Sequence, residues 1–235
     1  MVLILKKETG SSSLNAQIQN EDNQILFYHD KEYPIQLKEI SFAPPILFYR
    51  GNLSLLHSDI IGIVGSHAMR PYGRAVTRLF VNGLYGTSFN LMSGSLHGIE
   101  ELTLRIALQC GGRIICVLTT GIDQVFPRCN QQLVNQVSES GLIISEYTPE
   151  TVFQRKNLEE RSRLISGIAR GILIPEAAKQ SSSLRTVYYG VEQNREIFAV
   201  PGNIFSEESG GANALIAEGA QMVTKPKEIV ESFKF

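Results

Sequence analysis

The chain has 235 residues, 43% hydrophobic and 19% charged, a balance that builds a real core and excludes gross disorder. Its formal net charge of −1 excludes a broad cationic surface, so any nucleic-acid site must be a local patch. Cys110, Cys116 and Cys129 fall at no metal-ligand spacing and read as buried or incidental thiols of a reducing compartment. The start, Met1–Lys7, lacks the order of a signal peptide, and no segment approaches a membrane span. The expectation is a soluble cytoplasmic protein with no metal, no cofactor and no membrane partner.

In chain order, Thr9–Asn23 is polar and reads as a loop, and Ile25–Tyr28 as a short strand. Pro44-Pro45 marks an extended break, and Gly51-Asn52 turns the chain. From Ile60–Val64, a continuous apolar run, the pattern becomes regular. Helix is expected over Tyr72–Leu84, Ile99–Gln109, Gln131–Ser138, Arg161–Ala169, Leu184–Glu192, Ala212–Glu218 and Pro226–Phe235. Strand is expected over Phe89–Met92, Arg113–Leu118, Leu142–Ser145, Gly171–Ile174, Glu196–Val200 and Gln221–Thr224. This alternation predicts an α/β fold: a Rossmann-like, doubly wound, mostly parallel sheet with helices on both faces. The boundary expected near residue 50 leaves residues 1–50 as a small N-terminal appendage and 51–235 as the α/β body. Ligands of such sheets bind at the carboxyl ends of the strands.

Several loops at that edge could hold anions. Gly65-Ser66-His67 follows the first regular strand, where a Gly lets a ligand approach and a Ser can cap a helix. It is not a dinucleotide fingerprint. Ser93-Gly94-Ser95 follows the next strand and could present N–H groups to a phosphate, or be a plain turn. Arg128 lies just before a helix, where a cation opposes the dipole, which hints at an external anion. Phe126 beside it is core or a platform for a base, with core the safer reading. Arg155–Arg163 holds four basic residues in nine; Arg161 and Arg163 belong to it, and the competing reading is a solvated helix start with internal ion pairs. The span 151–195 carries eight Lys/Arg against four Asp/Glu, while 196–235 carries three against six, so charge is segregated within a nearly neutral chain. Ser181-Ser182-Ser183 precedes another helix as a possible anion cradle. Backbone amides, Ser hydroxyls and Arg side chains on one edge would suit phosphates spaced along a nucleic-acid strand.

Taken in order, these loops resemble the DNA-processing protein A (DprA/Smf) family from about Pro44 to Thr224. Its Gly-Ser-Arg motif stands here as Gly65-Ser66-His67, followed by Tyr72-Gly73. Ser93-Gly94-Ser95-Leu96-His97-Gly98-Ile99-Glu100, Phe126-Pro127-Arg128-Cys129-Asn130 and Ser145-Glu146-Tyr147 follow. Then come Arg161-Ser162-Arg163-Leu164-Ile165-Ser166-Gly167-Ile168, Glu176-Ala177, Ser181–Thr186, Ala199-Val200-Pro201-Gly202 and Gly211-Ala212-Asn213. Each motif is weak alone; the ordered series is specific. The resemblance implies a homodimer that binds and protects single-stranded DNA and loads the RecA recombinase in natural transformation, without enzymatic activity. It implies that Ser66, Arg128, Arg161 and Arg163 line the DNA pocket, with Ser181–Ser183 nearby.

The departures are specific too. His67 stands where the family has Arg, replacing a charged fork with one imidazole, a loss of about 1–3 kcal/mol of phosphate contact. Ser182 replaces a Gly, and Glu100 and Leu104 replace Asp and His. The helical modules that usually flank this domain are not expected on either side. A nucleoside-monophosphate phosphoribohydrolase, with Glu176 as acid or base, is the enzymatic alternative, though its Pro-Gly-Gly-x-Gly-Thr loop is missing. A degenerate paralogue blind to DNA is the third.

Overall fold

The computed structural model describes residues 22–234. The readings of Met1–Lys7 and of most of Thr9–Asn23 lie outside the described residues. A nine-stranded sheet organises the chain: β1 (Gln24–Phe27), β2 (Ile46–Gly51), β3 (Ile60–Ile63), β4 (Asn90–Gly94), β5 (Ile114–Val117), β6 (Leu142–Ser145), β7 (Gly171–Ile174), β8 (Glu196–Ala199) and β9 (Gln221–Met222). Their order is β1-β2-β6-β5-β4-β3-β7-β8-β9. Strands β3 to β9 pair in parallel, while β2 runs antiparallel to both β1 and β6.

The helices are α1 (Ile35–Lys38), α2 (Pro71–Leu84), α3 (Ile99–Gln109), α4 (Gln131–Ser140), α5 (Lys156–Ile168), α6 (Leu184–Glu192), α7 (Gly210–Ala217) and α8 (Pro226–Glu231). Two cores sandwich the sheet. Ile61 and Ile63 of β3 and Ile114 and Cys116 of β5 pack with α2, α3, α4 and α8 through Phe80, Leu102, Val134 and Ile229. The alternate residues Ile60, Val64, Ile115 and Val117 pack with α1, α5, α6 and α7 through Leu37, Ile165, Val187 and Ala212. Each central strand is buried on both faces, which is why its sequence is a continuous apolar run instead of an alternating one.

The chain winds outward from β3 through β4, β5 and β6, then returns to lay β7 against the other side of β3. The crevice between the ends of β3 and β7 is therefore the switch point, where loops diverge and leave room for a ligand. The doubly wound fold is as expected, and the boundary expected near residue 50 falls inside β2. The described part of the expected appendage, residues 22–50, carries β1 and most of β2, which continue the same sheet and cover the edge of β6. Helix α5 also starts earlier than expected, at Lys156. Its first turn buries Asn157, which donates to the Thr119 carbonyl at 2.8 Å, in place of an apolar residue, so it lacks the apolar spacing that marks the later turns.

Candidate nucleic-acid interface

The loops after β3, β4, β5, β7 and β8 are stitched into one rim. Ser66 donates its N–H to the Glu176 carbonyl at 2.9 Å, and its hydroxyl to the Glu208 carboxylate at 2.7 Å. Glu176 accepts the N–H of Arg70 at 2.9 Å, at the start of α2. The Ile99 N–H reaches the Ser66 carbonyl at 3.2 Å. Across the next gap Ser95 donates to the Phe126 carbonyl at 2.9 Å, and the Asn130 side-chain amide donates to the Ser95 carbonyl at 2.8 Å.

Two cationic features face solvent on this rim. Between the β3 loop and the start of α3 lies a cleft of about 280 Å³ bordered by His67, Arg74, His97, Glu101 and Arg105. Beside it, Arg128 opens the 3-10 turn Arg128–Asn130 ahead of α4; its carbonyl accepts the Gln131 N–H, while its guanidinium is exposed and has no ion pair or hydrogen bond among the described residues. Next to Arg128, the Phe126 ring stacks on Phe153 with centroids 3.8 Å apart and planes 10° from parallel. Phe126 is 36% exposed, so it belongs to the rim and not to the core.

A buried ion pair underlies the rim. Arg161 reaches from α5, on one face of the sheet, to Glu100 of α3, on the other. Its two terminal nitrogens each meet one carboxylate oxygen at 2.8 Å. The side chains are 5% and 2% exposed. The pair passes over the end of β4 because Gly94 has no side chain there: a Cβ on Gly94 would stand 1.9 Å from the Arg161 nitrogen and 2.3 Å from the Glu100 oxygen.

Residues 24–234 match the profile of the family described as DNA recombination-mediator protein A. The chain belongs to that family. It is 36% identical to the DNA processing protein DprA of Streptococcus pneumoniae over 88% of this chain and 73% of that protein. It is 38% identical to protein Smf of Escherichia coli over 92% of this chain and 58% of that one. The X-ray structure of the S. pneumoniae DprA superposes with a TM-score of 0.89 at 34% identity, covering 96% of this chain and 78% of that one. The DprA structure from Helicobacter pylori gives a TM-score of 0.81 at 22% identity, covering 89% and 94%, which shows the shared fold.

Within this member of the DprA/Smf family, the expected site residues separate into two groups. His67, Arg128 and Ser182 are exposed. The others are committed to the protein itself. Arg161 is neutralised by Glu100, so it is not a free phosphate ligand. Arg163 pairs with Glu146 and lines a different cavity, about 700 Å³, between α5, α6 and residues 39–42. Burial pushes the Glu146 carboxyl up, against the pull of Arg163. Ser93 is fully buried and donates to the Ile63 carbonyl at 2.7 Å. At Gly65 the close approach is internal: a Cβ would meet the Glu176 carbonyl oxygen at 2.6 Å. The Ser181 and Ser183 hydroxyls bond each other at 2.7 Å, leaving only Ser182 open.

Arg74, Arg105, Glu208 and Phe153 were not singled out from the sequence. Arg74 sits in the first turn of α2, which has no acidic residue. That is the same unfavourable placement against the helix dipole that drew attention to Arg128, and it could have found Arg74. Glu208 and Phe153 carry no comparable local signal.

Proposed function

We propose that this rim binds single-stranded DNA, with Arg128 as the principal phosphate contact, Arg74 and His67 extending the track, and Phe126 on Phe153 offering a ring face to a base. The observation that carries the reading is Arg128: an exposed guanidinium with no partner among the described residues, on a loop held rigid by Ser95 and Asn130. Phosphate contacts with aromatic stacking give affinity with little sequence preference. The H. pylori relative is described by its single-stranded DNA binding mode, which supports the same class of ligand here. Ser66 joins the site when Glu208 yields its hydroxyl, and Gly65, Ser93, Gly94 and Arg161 shape the rim from beneath. Ser181–Ser183 border it across the β7 loop.

We propose as the broader role a cytoplasmic homodimer that protects incoming DNA and passes it to the RecA recombinase during natural transformation, a reading that family membership supports. The nucleotide-processing alternative gains nothing from Glu176, which is 1% exposed with one oxygen tied to the Arg70 N–H.

The test is binding of oligothymidylate and of duplex DNA across about 50–200 mM salt. Single strands should bind more tightly, with affinity falling steeply as salt rises. Arg128→Ala should weaken binding by roughly tenfold and lower the salt slope by about one, with no change in melting temperature. A flat salt response, or an unaffected Arg128→Ala variant, overturns the reading and leaves the degenerate paralogue.

A further inference from the structure

The same rim carries a nucleophile, a base and an orienting acid in line. Cys129 is exposed, and its Sγ stands 3.7 Å from His97 Nε2. His97 Nδ1 meets Glu101 Oε2 at 3.0 Å, and Glu101 Oε1 accepts from Arg105 Nε at 2.9 Å. Partial burial pulls the Glu101 carboxyl upward, but His97 and Arg105 hold it below the usual carboxylate range, so it stays an acceptor. With Nδ1–H donated to Glu101, the Nε2 lone pair points at the thiol, the arrangement that activates a cysteine. The other two thiols lack it. Cys110 faces the Asn82 amide oxygen at 3.4 Å, and Cys116 is fully buried, which pushes its thiol up.

We infer that Cys129 is a modification site, activated by His97 and Glu101, that accepts mixed disulfides from anionic low-molecular-weight disulfides. Arg128 adjoins it in sequence, and Arg105 and Arg74 border the cleft that His97 shares, so the charged surroundings favour an anionic reagent. In the step, His97 Nε2 takes the thiol proton as Sγ attacks one sulfur of the disulfide. The S–S bond breaks, and the departing thiolate takes the proton back from the imidazolium. Thiol plus disulfide become mixed disulfide plus free thiol, with no other oxidant. An adduct bearing carboxylates beside Arg128 then repels and blocks a DNA strand, a consequence that rests on the function proposed above.

The probe is oxidised glutathione, added to the full chain at neutral pH, with modified peptides mapped by mass spectrometry over time. Cys129 should react first, and His97→Gln should slow it by about tenfold or more, the low end of base catalysis. His97 is exposed, so the variant keeps the fold. Equal reaction at Cys110, or a Cys129 rate indifferent to His97, overturns the assignment. In parallel, the adduct should weaken oligothymidylate binding, dithiothreitol should restore it, and Cys129→Ser should be insensitive to glutathione. Unchanged DNA binding by the adduct overturns the blocking role. A protein that binds no DNA even when reduced refutes the proposed function, while the thiol kinetics still decide the activated cysteine.

Discussion

The Arg161 guanidinium spends two nitrogens on Glu100 and leaves its Nε buried without a partner. A bidentate pair this deep has lost its hydration on both sides, so removing one partner strands the other charge. Such truncations cost about 3–5 kcal/mol, a large share of the roughly 5–15 kcal/mol that holds a domain together. Arg161→Ala and Glu100→Ala should each lower the urea-unfolding free energy by that amount. Arg161→Met combined with Glu100→Leu should recover most of it, because apolar replacement leaves no orphaned charge. An Arg161→Ala protein as stable as wild type but unable to bind DNA would return Arg161 to the ligand. Arg128 is the opposite case: its guanidinium is exposed and has no partner among the described residues, so it should matter to binding and not to stability.

At the level of elements, the central strands and helices were legible because burial on both faces leaves continuous apolar runs between helical spacings. Ile60–Val64 and Ile114–Leu118 are such runs. The site was legible only as a set of loops. Sequence places Arg161 in a basic cluster but says nothing of Glu100, whose carboxylate lies 61 positions away and meets it only because α3 and α5 flank the end of β4. Likewise Glu208 comes to Ser66 across 142 positions, carried there by the return of the chain through β7 and β8. That contact places the Glu208 carboxylate where a phosphate would approach, with the buried carboxyl of Glu176 beneath it. Burial, joined by the charge of Glu208, raises the Glu176 carboxyl despite the Arg70 N–H that favours its ionised form. Falling pH therefore protonates Glu176 earlier than an ordinary glutamate and removes one negative charge from the crevice. DNA affinity should rise as pH falls from neutral into the acid range, by roughly three- to tenfold for one unit charge lost beneath the rim. Glu176→Gln should abolish that increment. Polarisation titrations at constant ionic strength, with His67→Gln and His97→Gln in both proteins to remove the two imidazoles of the rim, read this directly. Glu208→Gln should tighten binding at neutral pH by freeing the Ser66 hydroxyl from a carboxylate.

For the molecule as a whole, the decisive feature is that β1 and β2 belong to the sheet. Gly51 and Asn52 looked like a boundary because a turn follows a proline-flanked stretch, yet the Asn52 N–H bonds the Gly141 carbonyl at 2.8 Å, and Arg50 bridges Asp123 at 2.7 Å. Leu26, Tyr33, Leu37, Ile40 and Leu47 are buried in the same core as α5 and β6. Each such side chain contributes about 1.5–3 kcal/mol when removed from water, so the five together stabilise by roughly 8–15 kcal/mol as an upper figure. That matches the whole stability expected of one domain. A fragment of residues 52–234 would also bare the edge of β6, whose four residues are all buried in the full sheet, as a row of unpaired backbone groups open to other chains. The fragment should associate or precipitate, and any soluble part should bind a hydrophobic dye and melt without a cooperative transition, while the full chain unfolds in one step. Size-exclusion chromatography with thermal melts compares them. A monomeric fragment with a sharp transition would mean that the two added strands are an independent appendage after all, joined to a sheet able to close its own edge.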